Sequence, residues 1–349
     1  MNMLDVFKSD AFDYRALTAA FEKKPFKPAL IEKLGIFGAK GIPTTTLMVE
    51  ERLGQLSLIT NTPRGAAAPN PVGRSLRTAR SFPTCHFVRE SNITADEIQN
   101  VRQFGQVDSQ TAVVETAQNV VDERMGWLRP MQEVTLEWQR LCAIKGALLD
   151  ADGSTTILNL FTEFGVAQQT KDFTFSSATE NVRGDCVAVA RQIEGELGGS
   201  PYTDIVALCS ATFMDALVDH PNVKLAFQYQ EGRVLGQDLR FVGFKFGGIT
   251  WYEYRGAVNK ADGSGTVQFV EDDYAYVLPM GVMVEGGPLF QTVFAPADFM
   301  EAANTQGLPL YAKMAFDPEG LNRFVKLHTQ SNPLSLCMRP RSVIKVHKA

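Results

Sequence analysis

The spacing of apolar residues changes period several times along this chain, and each change marks an element. From about Asp108 onward Val113, Ala117, Val121, Met125, Leu128, Met131, Val134, Trp138, Leu141 and Leu148 recur at steps near three and four. That spacing predicts an amphipathic helix with one face buried for about ten turns. Gly126 and Pro130 fall inside it and predict a bend, because proline removes one backbone hydrogen bond and crowds the preceding turn. A helix this long is a spine along which other elements pack. Asp150-Ala151-Asp152-Gly153-Ser154 stops it. No carboxylate follows at the positions a calcium loop needs, so this reads as a turn.

Around the spine the pattern is more broken. Asn92 or Thr94 is placed to cap a helical piece from Ala95, with acids in its first turn. Residues 155–160 and 172–175 read as short strands. Residues 180–197 form a second amphipathic helix, with Val182, Cys186, Val189, Ala190, Ile193 and Leu197 inward and Gly198-Gly199 ending it. Residues 204–209 are a buried strand, and Ser210 caps a helix through Phe213 and Leu217. Alternation then predicts strands at 239–242, 249–254, 267–270, 274–279 and 342–346, with 267–270 pairing back across the turn at 262–265. The class is mixed α+β.

Two stretches lack such periodicity. Residues 1–50 hold a short turn capped by Ser9 and stopped by Pro25 and Pro28, then a strand at 44–49. A segment so interrupted buries little by itself and is expected to lie along something else, as an arm. Residues 61–83 are rich in turn formers and poor in large apolar residues. Between 61 and 89 stand Arg64, Arg74, Arg77, Arg80 and Arg89, with no acid among them. A surface loop is one reading. The sharper one is an extended loop whose arginines meet carboxylates on a neighbouring subunit, where bidentate geometry favours arginine over lysine.

Composition narrows the function. Over 349 residues the net charge is −5, so the chain is not built to grip nucleic acid by neutralising phosphates. The five cysteines are far apart and mostly in apolar settings, such as Ala-Leu-Cys209, and read as buried free thiols of a reducing compartment. The N-terminus does not have the pattern of a secretory signal and no run is apolar enough for a membrane helix, so a soluble protein is expected. Residues 35–41 resemble a phosphate loop with the wrong spacing, and there is no zinc-protease helix or nucleophile elbow. The four histidines are scattered. Cys85 and His86 are adjacent, which in a strand points them to opposite faces. His220-Pro221 reads as a helix end, and Glu271-Asp272-Asp273 as a solvated acidic turn. No catalytic, metal or cofactor site emerges, which favours an architectural protein.

Several segments, taken in order, resemble the lambda-type phage major capsid proteins, the capsid E family. They are Asp152-Gly153, residues 160–165, residues 206–209 with Phe213 and His220-Pro221, residues 294–299, residues 304–309 and residues 330–334. The likeness runs from about residue 10 to 347. It implies the Hong Kong 97-like capsid fold, laid out as an arm (1–50), an extended loop (51–91), a peripheral domain with the spine helix (92–181), an axial domain (182–286) and returning peripheral strands (287–349). It further implies hexamers and pentamers closing an icosahedral shell around double-stranded DNA held without tight binding, in a virion assembled in the host cytoplasm. The arm begins almost at Met1, so scaffolding is expected from a separate protein, beside a decoration protein and a portal. Some relatives in the fold cross-link a loop lysine to an asparagine on a neighbour. From Gly41 to Ile144 this chain has no lysine, and arginine cannot replace it as a nucleophile. Two other readings stay open: a nanocompartment shell and an oligomeric α/β enzyme.

Overall fold

The computed structural model describes residues 30–53, 76–95, 97, 110–229, 243–260, 263–284, 287–317 and 323–349. The spine is one helix, Gln110–Lys145, continuous through Pro130. The carbonyl that Pro130 leaves without a partner belongs to Gly126, four residues back. The helix changes core near this point. Before it, Val121, Met125 and Leu128 pack with Ile93, Leu310, Ala312, Val325 and Leu327. After it, Trp138, Leu141, Cys142 and Ile144 join the main core. Met131 and Val134 share the helical period but are exposed, so burial of a single face does not hold along the whole helix.

The main core fills out around a six-stranded sheet. Its order is Gln169–Phe173, Ile344–Lys348, Tyr274–Met280, Asp204–Cys209, Ile249–Glu253, Phe244–Phe246. Two strands therefore come from outside the 182–286 segment. Strand Asp204–Cys209 sits centrally, parallel to Ile249–Glu253 and antiparallel to Tyr274–Met280. Its nearly continuous apolar run is what burial on both faces demands. Helix Val182–Leu197 covers the sheet with the inward residues its period predicts, although Ala190 is only half-buried. Asn181 caps its start, and Gly198, at φ 60°, ends it left-handed. Ser210 accepts the Phe213 N–H at the start of helix Ala211–Asp219, and His220 ends that helix.

Other expectations need correction. Leu160 opens a short helix, Leu160–Phe164, because the Asn159 side chain caps Phe161 and Thr162 and stops the strand there. Strand Thr266–Gln268, shorter than expected, does pair back across the turn, with Ala257–Asn259 as its partner. Asn92 lies inside strand Phe87–Thr94, opposite Lys326. The expected strand at 239–242 and the turn capped by Ser9 lie outside the described residues.

Candidate assembly junction

Strand Thr46–Leu53 pairs antiparallel with Leu76–Pro83 in a two-stranded ribbon. Residues 54–75 connect its strands, so Arg64 and Arg74 lie outside the described residues, as does the side chain of Arg77. The register sets Arg77 across from Arg52 and Arg80 across from Val49. It also sets Glu50 and Glu51 across from Ala79 and Thr78, so the acid-free loop has acids in its own ribbon. Arg80 is half-buried, its guanidinium 5.3 Å from the Phe164 ring centroid of the same subunit. Arg89 is exposed on strand Phe87–Thr94. Among the described residues, then, the structure does not gather the arginines into one cluster.

What it does gather, at the foot of the ribbon, is a junction of arm, loop and returning strands. Strand Gly38–Gly41 runs parallel to Phe290–Phe294, which pairs antiparallel with Pro333–Cys337. Ile42 donates to the Phe294 carbonyl and Gly307 to the Ile42 carbonyl, at 2.8 and 3.1 Å. A Cβ on Gly307 would run into the Phe294 carbonyl oxygen, and one on Gly41 into the Gly307 carbonyl oxygen. Only glycine allows backbones this close. Asn332 donates to the Pro296 carbonyl at 2.7 Å, and its side-chain oxygen lies 2.8 Å from His86 Nδ1, which the Gln330 amide nitrogen also approaches at 3.1 Å. Cys85 donates to the Pro333 carbonyl and Ser331 to that of Pro309. Residues 294–299, 304–309 and 330–334 thus meet in one place.

A second tie fastens the arm to the spine. Glu137 is 2% exposed, yet its Oε1 accepts the Ile31 N–H at 2.9 Å and the Tyr254 hydroxyl at 2.7 Å. Burial pushes its carboxyl above the usual range, against the pull of those two hydrogen bonds and of Arg140. Arg140 in turn bonds Glu32 at 3.1 Å. Sequence reasoning missed this carboxylate, since a glutamate in an amphipathic helix is normally assigned to solvent.

The remaining polar groups have structural partners. All five cysteines are free and buried. Burial raises the thiols to about 11 for Cys85 and Cys142 and about 12 for Cys186 and Cys337, with Cys209 higher still. His220 bonds the Ser177 carbonyl and receives the Asn222 N–H. Asp152 folds back on Ser154 and Thr155, whose hydrogen bonds hold its carboxyl well below the usual range, as a turn residue should. The acidic turn is not merely solvated, because Glu271 bonds Lys145 and Tyr276, and Asp273 bonds Lys348. Among the described residues no cluster of His, Cys, Asp or Glu could hold a metal, and no helix is long and apolar enough to cross a membrane.

Residues 13–348 match the family model for phage major capsid protein E. The chain belongs to that family. It is 29% identical to the major capsid protein of Pseudomonas phage KPP10, covering 96% of each chain. It is 24% identical to that of Salmonella phage Felix O1, covering 99% of this chain and 98% of the relative. Among solved structures it resembles a putative capsid protein of an Escherichia coli CFT073 prophage, with a TM-score of 0.60 at 14% identity over 97% of this chain and 99% of that one. The fold is the Hong Kong 97-like capsid fold, and the capsid E subunit is a structural protein of the phage head that associates with copies of itself.

Proposed function

We propose that this capsid subunit closes into hexamers and pentamers by heterologous contacts, and that these build an icosahedral shell around double-stranded DNA. The arm, loop, spine and axial segments divide at the boundaries given above, with the last strand returning into the axial sheet. The observation that carries this reading is the ribbon Thr46–Leu53/Leu76–Pro83, which holds residues 54–75 at its end and is pinned at its foot by the arm and the returning strands. Arg64, Arg74 and Arg77 are the residues assigned to contact a neighbouring subunit, with Arg89 as a further exposed candidate. Arg80 supports the ribbon from inside, over Phe164.

The net charge of −5 suits a wall that contains DNA without gripping it. Scaffolding, decoration and portal proteins act as separate partners, and assembly takes place in the host cytoplasm. Changing Arg64, Arg74 and Arg77 together to Glu tests the loop. Each exposed pair contributes only about 0.2–1 kcal/mol, but every copy in a shell repeats it. Folded, soluble subunits that no longer form complete shells are expected, and normal particles from the triple variant would remove the loop from the interface.

A further inference from the structure

The middle of the spine helix turns an apolar stripe to solvent. Trp127, Met131 and Val134 are 61%, 49% and 39% exposed. They follow one another at steps of four and three, and a further step of four reaches Trp138. Such steps along a helix make the seam against which a second helix packs. Here the seam runs about 16 Å, or about three turns. Met131, Val134 and Trp138 form one wall of a groove of about 500 Å³, and the hairpin of Ala257–Asn259 and Thr266–Gln268 lines the other. Trp127 extends the seam beyond it. Arg89 and Lys260 line the groove as well, and no carboxylate does. Neither cation has an ion-pair partner among the described residues. On a chain whose net charge is −5, this lining is a local reversal of sign.

A second copy of this chain fits the groove less well. Pairing the groove with its own counterpart would set Arg89 and Lys260 against the same two cations, and like charges across an interface oppose it. Nor does the rest of the described surface offer a matching helix. Outside the spine, no described helix carries two exposed large apolar side chains: Leu225 stands alone on Pro221–Tyr229, and Met300 sits on the single turn Met300–Ala302. An apolar seam at helical spacing with unpaired cations beside it is complementary to an amphipathic helix that carries acids next to its apolar face.

We propose that this groove receives an acidic amphipathic helix of a separate polypeptide. Apolar side chains of that helix cover Trp127, Met131 and Val134, and the acids beside them reach Arg89 and Lys260. Arg89 then serves this partner, and the contact stands whether or not the loop arginines join neighbouring subunits. The probe is a fluorescein-labelled peptide of about 18 residues, about five turns of helix. It carries leucine at steps of four and three, glutamate at the flanking positions and alanine elsewhere, and a twin has lysine for every glutamate. Fluorescence anisotropy with full-length free subunits reads the affinity of each. The glutamate peptide should bind at least about tenfold tighter than its twin, as two exposed ion pairs made in one case and reversed in the other would give. Arg89→Glu with Lys260→Glu should invert that order, and Arg89→Ala with Lys260→Ala, which should abolish the difference, repeats the test should the glutamates disturb the fold. Met131→Ser with Val134→Ser alters exposed side chains and should weaken both peptides. Circular dichroism checks that each variant stays folded. No binding of the glutamate peptide at about 100 μM subunit, or equal binding of the two peptides, would overturn the proposal. So would a Met131→Ser, Val134→Ser variant that loses self-association in sedimentation while binding both peptides as the wild type does, which would assign the seam to a second copy.

Discussion

Replacing Glu137 by alanine and by glutamine separates the two roles of this buried carboxylate. As an acceptor it satisfies the Ile31 N–H and the Tyr254 hydroxyl, joining arm, spine and the end of an axial strand. As a charge it sits 2% exposed, with Oε2 lacking a hydrogen-bond partner among the described residues. Alanine leaves two donors without an acceptor, each costing about 1–3 kcal/mol where water cannot reach, so a loss of about 2–6 kcal/mol is expected. Glutamine keeps an acceptor oxygen and removes the charge, so its cost should stay within about 1 kcal/mol. The pH dependence follows from the raised native value. The folded state holds this proton more tightly than the unfolded chain, so the wild type loses stability as pH rises from the unfolded value, about 4.3, through the native one. Glutamine has no such slope, and its stability relative to wild type should improve across that window. Urea unfolding of free subunits followed by circular dichroism at several pH values measures both quantities. An alanine cost below about 1 kcal/mol, or glutamine as damaging as alanine at every pH, would refute the reasoning.

Three further outcomes follow from the same geometry. Gly307→Ala forces a Cβ into the Phe294 carbonyl oxygen, so thermal melting should show a loss of about 3 kcal/mol or more, against a small effect for the open Gly195→Ala, where helix propensity even favours alanine. Native cysteines should react with a thiol reagent at pH 8 at least about 100-fold more slowly than a free cysteine, because burial both blocks them and raises their thiols. Mature shells boiled in denaturant should run as single 38.4 kDa chains, since the span from Gly41 to Ile144 has no lysine and Lys145 is bonded to Glu271; a ladder of reductant-resistant multimers would contradict this.

The elements legible in the sequence were those whose period reports a buried face. Helix Val182–Leu197 and strand Asp204–Cys209 are of this kind, and so is the length of the spine. Period alone could not show that Met131 and Val134 lie on a surface the subunit leaves open, because spacing reveals which residues share a face and not what covers it. The span from 61 to 89 looked free of acids along the chain, yet the ribbon register sets Glu50 and Glu51 across from Ala79 and Thr78. The junction was the least legible part. It rests on backbone approach at Gly41 and Gly307 and on the Pro296 carbonyl satisfied by Asn332, and the second tie rests on a buried glutamate, none of which leaves a pattern of hydrophobic positions.

The claim that this chain is a shell-forming subunit is tested most directly by electron microscopy of the purified protein at micromolar concentration, expressed alone and with a scaffolding protein. Rings of five and six subunits, or closed hollow shells, are the predicted result. A homogeneous population of monomers or dimers under both conditions, with no larger assembly, would contradict the account.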